Sequence, residues 1–73
     1  MPMSYEVTRG TARLTTRECE VLRWIAEGKP NAVIAAILGC KKGTVIKHAY
    51  RIFKKIGVEN RTEAAIWFHE LSG

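Results

Sequence analysis

The residues best suited to bind a ligand are the cations of one segment, Lys41 to Lys55. This segment, KKGTVIKHAYRIFKK, carries six of the twelve basic residues and no acidic residue. The rest of the sequence has six basic residues and seven glutamates, so the formal net charge of +5 arises from this segment. A concentrated positive charge on a small domain favours a polyanion, because neutralised phosphates release their counterions. Nucleic acid is therefore the first candidate partner.

The sequence offers little for other kinds of chemistry. It has no aspartate, no glycine-rich phosphate loop and no nucleophile paired with a base, so we expect no enzymatic activity. Cys19, Cys40, His48 and His69 lack the paired spacing of a zinc site, and we expect neither a metal nor another cofactor. His48 is expected to be half-buried and hydrogen-bonded near the first helix or to a phosphate, rather than a catalytic base or a metal ligand.

Length and composition indicate one small folded domain. With 73 residues, of which 47% are hydrophobic and two are proline, the chain is better suited to a packed core than to a disordered tail. No apolar run approaches the roughly 20 residues that span a bilayer, and residues 1–11 lack the apolar core of a signal peptide. We therefore expect a cytoplasmic protein without a membrane segment and without a small-molecule site.

Helices must position the cationic segment, and the sequence predicts four of them. Thr15 and Glu18 have the spacing of a capping box, which marks the start of the first helix. Gly28, Gly39 and Gly57 are well placed to end the first three helices. The predicted helices cover approximately 16–27, 30–38, 44–56 and 61–71.

The joint between the second and third predicted helices is short. Only residues 39–43 separate them, and a brief connection that contains glycine fits two helices crossing steeply in a helix-turn-helix. Residues 1–13 lack a helical period and are predicted to be an arm or linker, whereas residues 14–73 form the domain. The expected fold class is therefore all-α.

The third predicted helix has two opposite faces at about 100° per residue. Its apolar face, expected in the core, consists of Val45, Ala49, Ile52, Phe53 and Ile56. Its cationic face consists of Lys47, Arg51, Lys54 and, at the edge, Lys55, together with Thr44 and the neighbouring Tyr50. One helix thus combines a buried face with a face that suits a polyanion.

The fourth predicted helix carries an apolar stripe at helical spacing. The stripe consists of Ala64, Trp67, Phe68 and Leu71. On a terminal helix, such a stripe is expected in the core or in a dimer interface rather than as a stacking platform for single strands.

Several segments resemble one family in both order and spacing. They are Leu14-Thr15-x-Arg17-Glu18-x-Glu20-Val21-Leu22, Gly28-x-x-Asn31, Ile34-Ala35-x-x-Leu38, Thr44-Val45-x-x-His48, Ile52-x-x-Lys55-Ile56-Gly57-Val58 and Asn60-Arg61. Together they resemble the LuxR-type (GerE-like, NarL/FixJ-related) DNA-binding domain over residues 14–71. The resemblance implies a tri-helical core plus a C-terminal helix, with the third helix in the major groove and the fourth in a dimer interface.

The exposed side chains are expected to divide between reading bases and holding phosphates. The expected base readers are Lys47 and Tyr50, followed by Ile46 and Arg51. The expected phosphate contacts are Thr44, Lys54 and Lys55, with Lys29 and Asn31 from the start of the second helix. The expected dimer interface is the stripe of Ala64, Trp67, Phe68 and Leu71.

Around the start of the third predicted helix, three positions depart from the usual pattern of the family. Lys41 stands where Ser or Thr usually caps the recognition helix, and Gly43 weakens the first turn, so we expect a looser start to this helix. Ile46 replaces a common lysine, and any base contact there must be apolar, for example to a thymine methyl group.

The sequence therefore predicts a bacterial transcriptional regulator that binds double-stranded DNA as a homodimer, with RNA polymerase as a further candidate partner. Two alternatives stay open. One is the promoter-binding region of a sigma factor, which has a similar Leu-Thr-x-Arg-Glu pattern, and the other is a protein-interaction module that has lost DNA binding. The Gly57-Val58-x-Asn60-Arg61 joint and a full fourth helix favour the regulator over the sigma factor.

Overall fold

The computed structural model of the protein describes residues 14–72, which form four α-helices without a strand. They are α1 (Thr16–Ala26), α2 (Asn31–Leu38), α3 (Lys42–Ile56) and α4 (Arg61–Ser72). This arrangement confirms the all-α, four-helix architecture expected from the sequence. The arm predicted for residues 1–13 lies outside the described residues and stays a prediction. Every helix in the described part is too short or too polar to cross a membrane.

The start of α1 is fixed by the predicted capping box. The amide of Glu18 donates to Thr15 Oγ1 at 3.1 Å, and the amide of Thr15 donates to Glu18 Oε1 at 3.0 Å. Two amides at the helix start are thereby satisfied without water. The helix ends at Ala26, and Gly28 takes a positive φ of 87°, which a residue with a side chain rarely adopts.

The turn between α2 and α3 is tighter than the sequence suggests. Gly39 ends α2 in the left-handed conformation, with a φ of 71°, and α3 begins at Lys42. The predicted start at Thr44 is therefore late by two residues, because the carbonyl of the extended Lys41 already accepts from the amides of Thr44 and Val45. Lys41 gives no side-chain cap, as expected from its type.

The core lies where the helices meet. α1 packs against α4 and α3, and α2 packs mainly against α3. The buried hydrophobic side chains are Val21, Leu22 and Ile25 of α1, Ile34 and Ala35 of α2, Val45, Ala49 and Ile52 of α3, and Ala64 of α4. Burial of each large aliphatic side chain contributes about 1.5–3 kcal/mol, so this cluster is the main source of stability in so small a domain.

Asn60 caps the start of α4. Its Oδ1 accepts from the amide of Glu63 at 2.9 Å. The Glu63 carboxylate reaches back one residue further than in a capping box and accepts from the amide of Glu59 at 2.8 Å. Both interactions place a carboxylate and a carbonyl oxygen at the positive end of the helix, where they stabilise it.

Glu18 is the one charged side chain that the described residues bury. It is 3% exposed, and its Oε1 accepts from Lys55 Nζ at 2.7 Å, which joins the start of α1 to the end of α3. Burial alone would raise the pKa of Glu18. The hydrogen bonds and charge from Lys55, together with hydrogen bonds from Thr15, outweigh burial, so the pKa lies below its ordinary value of 4.5.

We predict that Glu18→Gln lowers the free energy of unfolding by about 1–3 kcal/mol at neutral pH, because glutamine keeps the cap but loses the charge opposite Lys55. A carboxylate with a lowered pKa stabilises the fold above its unfolded pKa and stops doing so as pH falls through its folded pKa. The difference between variant and wild type should therefore shrink below about pH 4.5. Urea unfolding at several pH values measures it.

A matched control is Glu20→Gln, which breaks an exposed ion pair with Arg17 at 3.4 Å. Such pairs contribute about 0.2–1 kcal/mol, so this change should be smaller at every pH. A Glu18→Gln difference that does not shrink in acid would contradict the assignment of the effect to the Lys55 pair.

We predict opposite effects for alanine at two glycines of the turn region. Gly43 lies in the first turn of α3 without a positive φ, and an added Cβ there meets no atom within 4 Å. Gly43→Ala should therefore stabilise the domain by about 0.5–1 kcal/mol. Gly39 has equal space but a φ of 71°, so Gly39→Ala should destabilise it by about 1–2 kcal/mol. Thermal unfolding compares the two, and effects of the same sign would contradict this account.

Candidate nucleic-acid interface

α3 has the two faces that the sequence predicts. Val45, Ala49 and Ile52 are buried, and Phe53 and Ile56 are partly buried against the core. On the opposite side, the cations Lys47, Arg51 and Lys54 are exposed, and Lys42 is exposed at the start of the helix. With 15 residues, α3 is about 22 Å long, which is enough to lie along the groove of a duplex.

The four expected base readers lie together on this exposed surface. Tyr50 is 70% exposed and Ile46 is 41% exposed, and both rank among the most exposed large hydrophobic side chains of the described residues. Lys47 and Arg51 are also exposed, each one position further along the helix. Ile46 and Tyr50 are four residues apart, and so are Lys47 and Arg51. The four side chains therefore lie on adjacent turns of the helix and form one continuous patch.

The expected phosphate contacts divide into two groups. Thr44 and Lys54 on α3 and Lys29 before α2 are exposed, and Asn31 at the start of α2 is partly buried. Lys55 differs, because its ammonium group lies 2.7 Å from the buried carboxylate of Glu18. Moving it to a phosphate would leave a buried charge without that partner, which is unfavourable. The structure therefore gives Lys55 a stabilising role between α1 and α3.

A hydrogen-bonded cluster that the sequence did not predict joins α4 to α2. Arg61 Nη1 donates to Asn31 Oδ1 at 2.7 Å, and Arg61 Nη2 donates to the carbonyl of Lys29 at 2.7 Å. The residues are 30 and 32 positions apart in the sequence, so no local spacing indicates the contact. In the sequence, only the family resemblance, which includes the Asn60-Arg61 pair, indicates that Arg61 is important.

An open groove of about 350 Å³ connects this cluster to the exposed face of α3. Its lining consists of Asn31, Ile46, Ala49, Tyr50, Phe53, Glu59, Asn60 and Arg61. Asn31 and Arg61 thus lie on the same surface as the base readers Ile46 and Tyr50. Glu59 contributes the single acidic group of this lining.

The two histidines have different surroundings. His48 is partly buried, as expected, but its Nδ1 is the one buried side-chain nitrogen or oxygen of the described residues without a hydrogen-bond partner, so this atom does not form the expected bond near α1. His69 Nε2 lies 3.0 Å from the carbonyl oxygen of Ala26, which ties α4 to α1. Residues 14–72 bring no three His, Cys, Asp or Glu side chains together in a way that would hold a metal ion.

The apolar stripe of α4 is largely used within the domain. Ala64 is fully buried in the core, so its side chain has no surface for a second chain. Trp67 and Phe68 are partly buried and pack against the same core. Leu71 is partly exposed, and the most exposed apolar side chain of α4 is Ile66, at 53%, which the sequence did not indicate.

Comparison with known proteins shows matches to bacterial regulators. Residues 12–68 match the GerE family model, described as "Bacterial regulatory proteins, luxR family". The nitrate/nitrite response regulator protein NarL of Escherichia coli K12 is 40% identical over 62 residues, which are 85% of this chain and 29% of NarL.

Two further relatives agree with this match. The transcriptional activator protein AnoR of Acinetobacter nosocomialis is 49% identical over 53 residues, 73% of this chain and 22% of AnoR. The regulatory protein SdiA of Escherichia coli K12 is 47% identical over 51 residues, 70% of this chain and 21% of SdiA. The chain thus spans less than a third of the length of these relatives. Since the family model covers most of the sequence and its match includes all of α1, α2 and α3, the chain belongs to the luxR family of bacterial regulatory proteins.

Proposed function

We propose that this domain binds double-stranded DNA with sequence preference, as the DNA-binding part of a transcriptional regulator, and that α3 enters the major groove. One observation carries the proposal, namely that the buried face of α3 leaves Lys47, Tyr50 and Arg51 exposed on a single surface. Membership of the luxR family and relatives named as a transcriptional activator and as regulatory proteins support the same function.

The dimensions of α3 suit the major groove. That groove is about 12 Å wide and admits an α-helix with its side chains. A helix bound there presents one face to the bases, and the exposed patch of α3 supplies it with donors and an apolar group. Lys47 and Arg51 have donors for guanine O6 and N7, and Ile46 has an apolar surface for a thymine methyl group.

The remaining polar side chains suit the DNA backbone. Lys54 lies one turn beyond Tyr50, and Thr44 lies at the opposite end of the exposed face. Lys29 and Asn31 flank α3 from the start of α2. Contacts of this kind fix the register of a protein on the duplex but do not read its sequence.

We predict that Lys47→Ala and Lys54→Ala affect DNA binding in different ways. Loss of a base contact should reduce discrimination by about 1–3 kcal/mol at one position of the site, whereas loss of a phosphate contact should weaken all sequences alike. Lys54→Ala should also reduce the log–log dependence of affinity on salt by about 0.9. Selection from random duplexes, followed by fluorescence anisotropy on selected and scrambled duplexes, measures both effects.

The wild-type result decides whether the function itself is correct. Affinity for any duplex should fall steeply as salt rises, since phosphate contacts release counterions. An absence of binding at low salt would favour a protein-interaction module instead. If both alanine variants weakened every sequence equally, the division between base readers and phosphate contacts would be wrong.

We also propose that the domain binds DNA as a homodimer through α4. Ile66 and the exposed parts of Trp67 and Leu71 supply an apolar surface at the C-terminal end of the described residues. Ala64 and Phe68, which are buried or packed inward, support this helix from within the domain. Two copies related by a twofold axis would present their α3 helices to half-sites about 34 Å apart.

We predict that Ile66→Glu abolishes self-association and leaves the fold intact, because the side chain is 53% exposed. Trp67→Glu should also prevent self-association, but it removes core contacts and should lower stability as well. Sedimentation velocity of wild type and both variants at high concentration measures the association. A wild type that stays monomeric, both free and on a two-half-site duplex, would contradict the dimer.

For the whole regulator, we propose action in the bacterial cytoplasm, where chromosomal DNA lies, with RNA polymerase as a partner at the promoter. The support comes from the relatives, which are named as a response regulator and a transcriptional activator. The matched region makes up less than a third of each of them. Pull-down of RNA polymerase by the promoter-bound regulator tests this partner.

A further inference from the structure

The contact between Arg61 and Asn31 determines which way the Asn31 amide faces. A guanidinium group can only donate hydrogen bonds, so the group of Asn31 that lies 2.7 Å from Arg61 Nη1 must be its oxygen. The amide nitrogen therefore points away from Arg61. A second hydrogen bond, from Nη2 to the carbonyl of Lys29, holds the guanidinium in place beside the amide oxygen.

The Asn31 amide nitrogen is available to a ligand. Within the described residues, it has no acceptor, whereas its oxygen is occupied by Arg61. It is not among the buried polar atoms without a partner, so it lies at the surface. The groove that it borders also contains Ile46 and Tyr50 of the base-reading patch. A donor at this place faces the same side of the domain as the residues expected to meet DNA.

We propose that Arg61 is a positioning residue for DNA binding, which holds the Asn31 amide with its two N–H donors directed at a backbone phosphate. The proposal rests on the proposed DNA-binding function. It gives α4 a part in the interface through a residue that reaches the start of α2, and it makes the orientation of one donor depend on a side chain 30 positions away in the sequence.

The charge of Arg61 has to be separated from its geometry. Its two partners are a neutral amide oxygen and a carbonyl, and it forms no ion pair with the described residues, so its positive charge also attracts phosphate. Lysine keeps this charge but cannot make two hydrogen bonds in the fixed plane of a guanidinium. Arg61→Lys therefore no longer holds the Asn31 amide in place, but it keeps a positive charge that attracts phosphate.

The test is a double-mutant cycle of Arg61→Lys and Asn31→Ala, measured by anisotropy with a fluorescein-labelled duplex of mixed sequence between about 50 and 200 mM salt. Each single variant should bind about tenfold more weakly than wild type, as for loss of one hydrogen bond to a charged group. Neither variant should change the log–log salt slope, because the Asn31 amide is neutral and Arg61→Lys keeps its positive charge. The double variant should match the singles.

Three results would overturn the positioning role. The first is an Arg61→Lys variant with wild-type affinity and slope, which would show that charge alone matters. The second is additive losses in the double variant, and the third is wild-type affinity in Asn31→Ala. A wild type that fails to bind the duplex at low salt would instead overturn the DNA-binding function, so the two failures are distinct.

Two controls separate positioning from general loss of structure. Arg17→Lys makes the same substitution at an exposed residue paired with Glu20, and affinity and slope should not change. Asn31→Asp keeps an acceptor for Arg61 and should retain stability in thermal unfolding, yet it replaces the donors by a negative charge. It should bind at least as weakly as Asn31→Ala, and wild-type affinity in this variant would contradict the proposal.

Discussion

The burial of one face of α3 is the constraint on which the rest of the structure depends. Val45, Ala49 and Ile52 are fixed against α1 and α2, and this choice determines the rotation of the whole helix about its axis. A rotation of one residue, about 100°, would turn either Tyr50 or Arg51 into the core, depending on its direction, and expose part of the present core. The free energy of the hydrophobic core therefore also sets which side chains face a ligand.

Polar interactions then assign different roles to residues of the same type. Lys54 and Lys55 are neighbours in the sequence, but Lys54 is exposed whereas Lys55 pairs with the buried Glu18. Arg61 and Arg51 likewise differ, because Arg61 donates to Asn31 and to a carbonyl while Arg51 lies exposed on α3. The positive charge of the domain thus serves stability at some positions and ligand attraction at others.

Much of this arrangement was predictable from the sequence because it depends on local patterns. The capping box of α1, the glycines that end three helices and the periodicity of α3 each involve residues within about two turns of one another. The start of α3 lies two residues before its predicted position, because Lys41 has no capping side chain to indicate it, whereas the Lys41 carbonyl accepts from the first amides of the helix. Contacts across the fold could not be predicted, since the pairs Glu18–Lys55 and Asn31–Arg61 have no signature in their spacing. The same limit applies to α4, where packing against α1 buries Ala64 and leaves Ile66 exposed.

The confinement of the positive charge to one helix has a kinetic consequence. Outside residues 41–55 the six basic residues and seven glutamates nearly cancel, so the net positive charge is concentrated in α3 and the residue before it. A duplex at a distance of about one Debye length, roughly 10 Å at 0.1 M salt, exerts a torque on such a molecule and turns α3 toward itself before contact. Encounters then begin in a nearly productive orientation, which raises the association rate at low ionic strength, while the lifetime of the complex is set by the side chains that meet the bases.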